Sequence, residues 1–204
     1  LAGLYTPDEG RVLVDGESLA LMDPEQLAAT RERYGYLFQN YALFDFMTVL
    51  DNVAFPARQL PGADQRESII VKAATERLTE VGLGHALDRF PRELSGGMKK
   101  RVGLARATIT NPQIALYDDP SAGLDPVTSS KIFDLVARMH GHVEHCASVV
   151  VSHDIDRLMP LCDRYLMLLH GQVIFDGTET DIETADPRVK RFFDVALTKH
   201  LAVP

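Results

Sequence analysis

The run Leu94-Ser95-Gly96-Gly97-Met98-Lys99-Lys100-Arg101 joins a good helix N-cap to two poor helix formers. Glycines in a first turn leave the helix N-terminus bare, with backbone N–H groups and the positive end of the dipole open to an anion such as phosphate. The same residues also read as a glycine-rich loop before an ordinary helix. About one helix and one turn further on, Ile114-Ala115-Leu116-Tyr117-Asp118-Asp119-Pro120 is an apolar strand ending in two carboxylates. That places negative charge at the carboxyl edge of a sheet, where α/β proteins bind ligands. Asp118 is placed to hold a divalent metal, directly or through water. Asp119 is placed to orient or deprotonate a water attacking a phosphate. Either carboxylate, taken separately, also reads as a cap on the next turn. Ser121-Ala122-Gly123-Leu124-Asp125-Pro126 follows, then Val149-Val150-Val151-Ser152-His153-Asp154. His153 at a strand's end suits a polar contact to a terminal phosphate. Gln39, in Phe38-Gln39-Asn40, closes an earlier strand, where it can report ligand occupancy to the segment that follows.

The elements that must position these residues follow from apolar period and turn chemistry. Residues 11–16 have strand character, followed by a turn and a helix opened by Asp23-Pro24. Residues 34–38 form a second strand, and Pro56, Pro61 and Gly62 break the chain after it. Helical spacing runs from Asp64 to Val81 and stops at Gly82 and Gly84. A helix opens at Ser95 and runs through Ala107, then come a buried strand at 114–117 and a helix at 128–140. The continuous β-branched run 147–151 suits a central parallel strand. Strands at 165–169 and 172–175 flank the turn His170-Gly171, and Asp186-Pro187 opens a last helix to about Leu197. The order predicts an α/β sheet interrupted by a helical insert over about residues 49–94. Residues 1–4, Leu-Ala-Gly-Leu, read as the glycine-stopped tail of a helix whose beginning lies upstream.

Hydrophobic content of 46% and charged content of 25% over 204 residues are ordinary for one soluble globular unit. A net charge of −8 argues against a nucleic-acid partner. No apolar run approaches the roughly 20 residues that span a bilayer. Cys146 and Cys162 are spaced for neither a metal nor a redox pair and read as reduced thiols. His140-x-His142-x-x-His145 has the residue types of a zinc site, but its place between a helix and the next strand reads as a solvated turn.

In this order and at these intervals the stretches resemble the ABC ATPase family. Gln39 matches its Q-loop glutamine, residues 94–98 its signature motif, 114–118 its Walker B strand, 122–125 its D-loop, and His153 its switch histidine. The resemblance implies a P-loop NTPase-like (RecA-like) α/β fold: a parallel sheet core, an antiparallel β piece and an inserted α-helical subdomain. It makes residues 1–204 a single ABC ATPase domain, incomplete at its N-terminus, with a C-terminal helix and tail over about 186–204. It implies ATP with Mg2+. Asp119, His153 and Gln39 take catalytic roles, Asp118 and Gln39 the metal, and Ser95, Gly96, Gly97 and Asp125 the nucleotide. Two such domains pair head to tail, so that Ser95 and Gly97 contact the partner's nucleotide. A membrane permease is driven through the helical insert, at the cytoplasmic face of the inner membrane.

Two departures qualify these expectations. The Gly-rich loop ending in Gly-Lys-Ser/Thr is not among these residues. In the family it precedes the Leu-Ala-Gly-Leu helix end by roughly ten residues, which would place it just before Leu1. The 204 residues alone are therefore not expected to bind ATP tightly. Asp119 stands where the family usually has glutamate, about an ångström shorter in reach, a displacement that can cost on the order of a hundredfold in rate. Within the family, Asp186-Pro187-Arg188-Val189-Lys190-Arg191-Phe192-Phe193-Asp194 is similar to the ending of the Mla-type (Mce-associated) lipid-transport ATPases. Residues 38–44 and 52–56 and the methionine after the signature glycines look like that group too. This likeness implies phospholipid transport, with an MCE-type lipid-binding protein as a further partner. Betaine and methionine importers share the methionine, so an importer of a small solute is the alternative, as is a non-hydrolytic structural subunit. A soluble ABC ATPase acting on DNA or ribosomes fits the acidic charge less well. Residues 41–46 also read as a hydrophobic dock for a permease helix.

Overall fold

The computed structural model describes residues 1–141 and 146–198. Strands β1 (Leu13–Val14) and β2 (Glu17–Ser18) pair around Asp15-Gly16, both at positive φ, as a two-residue hairpin turn requires. Helix α1 (Pro24–Glu32) opens on a reciprocal cap. Asp23 Oδ1 accepts the Gln26 N–H, Gln26 Oε1 accepts the Asp23 N–H, and Pro24 sits where no N–H is missed. Next come β3 (Tyr34–Leu37), α2 (Val49–Arg58), α3 (Glu67–Glu80), α4 (Gly96–Thr108) and β4 (Ile114–Asp118). They are followed by α5 (Pro126–Gly141), β5 (Ala147–Val151), α6 (Ile155–Leu158), β6 (Tyr165–Leu169), β7 (Gln172–Gly177), α7 (Glu179–Ile182) and α8 (Pro187–Thr198).

The parallel sheet has the order β3-β4-β5, in register Leu37↔Tyr117 and Asp118↔Val151, while β6 and β7 form a separate antiparallel pair. This is the α/β arrangement expected, a parallel core with antiparallel pieces. Helix α4 is buried along most of its length, against β3, α2 and α5. Its closeness to β3 depends on missing side chains. A Cβ on Gly35 would lie 2.0 Å from Ala107 O, and one on Gly103 would lie 2.8 Å from Leu37 Cδ1. The main core runs from Leu37 through Val49, Val53, Leu78 and Leu104 to Tyr117 and Ile132. A smaller one joins α8 (Val189, Phe193) to Tyr165 and Ile155.

Three expectations differ from what is found. Pro56 does not end its segment: it lies inside α2, which continues to Arg58. So close to the C-terminus the missing N–H costs a single bond, and the helix ends one turn later at Gln59. Strand β5 is not central among the described residues. No strand bonds its outer edge, and Val149 and Val151 are exposed. Residues 1–4 carry no helix, although Gly3 does take the left-handed φ of +66° that a glycine stop uses.

Candidate functional site

Parallel pairing of β4 with β5 makes both strands end at one edge of the sheet, so Asp118-Asp119 and Ser152-His153-Asp154 emerge side by side. The Asp119 N–H donates to Val151 O (2.8 Å) and prolongs the pairing by one residue. Asp119 itself lies in the left-handed region (φ +43°), which turns its side chain along the edge. His153 Nδ1 lies 3.3 Å from Asp119 Oδ1, with the imidazole 70% exposed and the carboxylate only 18%. The ring N–H is not aligned for a hydrogen bond, and Asp119 Oδ1 is a buried oxygen without a hydrogen-bond partner. A buried carboxylate oxygen left in that condition marks the place of a further polar group such as a water or a hydrated ion.

Around this pair the turns are fixed by side chains. Asp154 accepts hydrogen bonds from the Ser121 and Ser129 hydroxyls, tying the turn that carries His153 to the turn after β4 and to α5. Burial pushes the Asp154 carboxyl up, but the Ser121 and Ser129 hydroxyls, together with His153 and Arg157, hold the group below its ordinary value. Asp125 caps α5. Its Oδ1 accepts the Val127 and Thr128 N–H groups (3.1 and 3.0 Å) and its Oδ2 the Thr128 hydroxyl (2.6 Å).

Helix α4 meets the site from the other side. Ser95 caps it, with Oγ accepting the Met98 N–H at 3.3 Å, and Ser95 and Gly96 are exposed. A Cβ on Gly97 would come within 3.0 Å of the Thr128 methyl, so the α4 start lies against the start of α5. One turn in, the fully buried Lys100 donates to Gln39 O (2.9 Å) and to Asp119 O (2.8 Å), with Nζ 5.2 Å from the Tyr41 ring centre. Burial pushes the Lys100 ammonium below its usual range, opposed by the charges of Asp119 and Asp118. A left-handed residue other than glycine costs about 1–2 kcal/mol. A hydrogen bond from a charged donor returns about 1.5–3 kcal/mol, so the Lys100 bond is enough to hold Asp119 in that conformation. Tyr41 and Ala42 are left-handed as well, and their carbonyls accept from Arg106 Nη2 and Nη1 (2.7 Å each).

The structure therefore brings Asp118, Asp119 and His153 to one edge and ties Gln39 to it through Lys100. Ser95, Gly96 and Gly97 stand at the head of the same helix, and Asp125 faces the head of α5. Lys100, Arg106 and Asp154 were missed from sequence. A buried cation and a surface one look alike on a helix whose apolar period is blurred by glycines and alanines.

Among the described residues no group of three or more His, Cys, Asp and Glu side chains offers a ready metal cage. Mg2+ does not need one, since it is usually held by one or two carboxylates, waters and substrate phosphates. The exposed Asp118 and the unsatisfied Asp119 Oδ1 fit that donor set. His140 Nδ1 pairs with the Ser148 hydroxyl at 2.9 Å, while His142 and His145 lie outside the described residues. Beyond the site, a cavity of about 340 Å³ opens between β3, α2 and α4, lined by Tyr36, Phe38, Phe44, Phe55, Pro56 and Arg106. Phe46, beside it in sequence, is 75% exposed. No helix among the described residues is long and apolar enough to cross a membrane.

A family model for the ABC transporter matches residues 1–122. The chain is 39% identical over 193 residues to the methionine import ATP-binding protein MetN of Caulobacter vibrioides, covering 93% of this chain and 57% of that protein. It is 35% identical over 198 residues to the intermembrane phospholipid transport system ATP-binding protein MlaF of Escherichia coli, covering 95% of this chain and 71% of that protein. It thus spans little more than half the length of the methionine-import relative. A dimeric ATP-binding cassette solved in a post-hydrolysis state with ADP and Pi superposes with a TM-score of 0.76 at 32% identity, over 87% of this chain and 76% of that one.

Proposed function

This chain belongs to the ABC transporter family, as an ATP-binding subunit, and from that premise we propose that it hydrolyses ATP to drive a membrane permease that moves phospholipid. The observation that carries the hydrolytic reading is the edge shared by β4 and β5, where Asp118, Asp119 and His153 emerge together and Asp119 Oδ1 stands unsatisfied 3.3 Å from the imidazole.

Asp118 would hold Mg2+ with the nucleotide phosphates, where the ion supplies charge neutralisation of the phosphoryl oxygens. Asp119 orients the attacking water through the free oxygen and draws its proton. His153, exposed on the open side of Asp119, donates toward the terminal phosphate. Gln39 meets the same region from the end of β3 and passes its state to α2 and the loop before it. The exposed head of α4, with Ser95, Gly96 and Gly97, offers its N–H groups to the nucleotide of a second subunit paired head to tail. Asp125, bound to the head of α5, positions the D-loop against that nucleotide. The cavity beside Phe44 and the exposed Phe46 are the dock for a permease helix, in keeping with a peripheral subunit at the cytoplasmic face of a bacterial inner membrane.

Phospholipid as cargo rests on the 186–194 ending and on the likeness to the phospholipid-transport subunit over 71% of that protein; with it goes an MCE-type lipid-binding protein as a further partner. Methionine is the second reading, favoured by the higher identity of 39%. The test is MgATP turnover by the natural protein purified with its permease. Loss of two orders of magnitude or more in Asp118→Asn and in His153→Ala supports the hydrolytic reading, and turnover unchanged in both refutes it. Stimulation of that turnover by phospholipid vesicles, against stimulation by methionine, separates the two cargoes.

A further inference from the structure

We propose that Lys100 is a positioning residue for hydrolysis: its buried ammonium binds the main-chain carbonyls of Gln39 and Asp119 together, fixing the segments that carry the glutamine and the water-orienting carboxylate. The inference rests on the roles given above to Gln39 and Asp119.

A buried ammonium is costly to desolvate and persists where its hydrogen bonds matter. Lys100 has no solvent exposure, and the bonds found for Nζ go to two neutral carbonyls, at 2.9 and 2.8 Å, with the Tyr41 ring face 5.2 Å away. Neither partner belongs to regular structure. Gln39 lies two residues beyond the end of β3, and Asp119 directly follows the last residue of β4. These are the two loop starts at the candidate site, and one donor group joins them.

The geometry at Asp119 shows what the bond does. Its N–H is held by Val151 O and its C=O by Lys100, so both flanking peptides are fixed and the left-handed φ between them is imposed. The direction of Cβ, and with it the place of the unsatisfied Oδ1, follows from those two peptide planes. At the other end, Lys100 holds Gln39 O while Arg106, on the same helix, holds Tyr41 O and Ala42 O. The whole turn after β3 is thus clamped to α4. Gly96 and Lys100 are four residues apart on one continuous helix, about 6 Å of rise. The exposed head of α4 and the Lys100 clamp therefore form one rigid piece.

The experiment compares Lys100→Met, which keeps the volume and removes the donors, with Lys100→Arg, which restores charge and donors. Thr108→Val, a buried polar change on the same helix whose hydroxyl bonds only the helix's own carbonyls and the Met139 sulfur, controls for stability. In the natural protein with its permease, Lys100→Met should lower kcat for MgATP at least tenfold with KM within twofold. Lys100→Arg should regain most of it, and Thr108→Val should keep kcat within twofold. Amide exchange on the same proteins without nucleotide reads the clamp directly. Lys100→Met should speed exchange at Tyr41, Ala42, Asp119 and Ala122 at least tenfold, with the β6–β7 amides unchanged. If Lys100→Met does not fold, Lys100→Gln, shorter and uncharged, is read in its place with the same expectation. Unchanged exchange at those amides overturns the proposal, as does a kcat loss shared by Thr108→Val or not restored by arginine. Absence of turnover in the unsubstituted protein would instead refute the ATPase reading, while the exchange result still decides the clamp.

Discussion

Replacing Asn52 tests how the loop after β3 is held. Asn52 has no solvent exposure and sits in α2. Its Oδ1 accepts the Phe44 N–H at 2.8 Å, and its Nδ2 donates to the carbonyls of Thr48 (2.9 Å), Phe44 (3.1 Å) and Met47 (3.2 Å). An amide has two donor hydrogens, so three bonds of full strength are made, each worth about 1 kcal/mol net. Asn52→Ala removes them all and leaves the Phe44 N–H without its acceptor, which adds about 1–2 kcal/mol. The expected loss is about 4–5 kcal/mol, a large share of the roughly 5–15 kcal/mol that holds a typical domain. Asn52→Asp keeps the shape but aims a carboxylate at carbonyl oxygens in the core, and should be worse than alanine. Urea unfolding followed by far-UV circular dichroism measures this, since the chain has no tryptophan. With a slope of about 2 kcal/mol/M the alanine midpoint falls by about 2–2.5 M. A shift below about 0.5 kcal/mol, or an aspartate variant more stable than the alanine variant, would refute the reasoning.

Gly35→Ala should destabilise by about 3 kcal/mol or more, read by the same unfolding curve, because its Cβ would sit 2.0 Å from Ala107 O and 2.7 Å from Pro112 Cγ, and backbone cannot step aside cheaply. Asp119→Glu should raise MgATP turnover about tenfold to a hundredfold by carrying the carboxylate about an ångström further from the fixed backbone; a lower rate would show that the backbone already compensates for aspartate. Against burial, Asp154 is held below its ordinary value of 3.8 by the Ser121 and Ser129 hydroxyls, with smaller help from His153 and Arg157. The stability this lends is full above pH 3.8 and is lost as pH falls through the lower folded value. Unfolding of Ser121→Ala/Ser129→Ala beside the unsubstituted protein at pH 7 and pH 3 should therefore show a gap that narrows in acid, and a gap that widens would contradict the assignment.

Much of the site was legible because its signals are local. Ser95 before two glycines announces a capped, bare helix start, and the structure gives that cap. Apolar runs ending in Asp118-Asp119 and in Ser152-His153 announce strand ends, and parallel pairing brings those ends together. What was not legible depends on partners distant in sequence. Lys100 and Arg106 carry the residue types of a solvated helix face, yet they are buried because Gly35 and Gly103 let α4 settle onto β3. The left-handed turns at Tyr41, Ala42 and Asp119 have no glycine to announce them. Pro56 signals a break in any local reading, and only its place in the last turns of α2 lets the helix pass it. The exposure of β5 follows from which strands pair with it, which its β-branched run does not encode.

The central claim is that hydrolysis takes place at a site shared by two subunits, with Asp118, Asp119 and His153 from one and the head of α4 from the other. It is tested most directly by mixing two inactive variants of the natural protein, Ser95→Arg and His153→Ala, and measuring MgATP turnover. Each homodimer carries one lesion in both of its sites. A mixed dimer carries both lesions in one site and leaves the other intact. The account predicts that activity absent from each variant alone returns on mixing and rises with the fraction of mixed dimers. Turnover that stays absent at every mixing ratio, with mixed dimers shown to form, would contradict it.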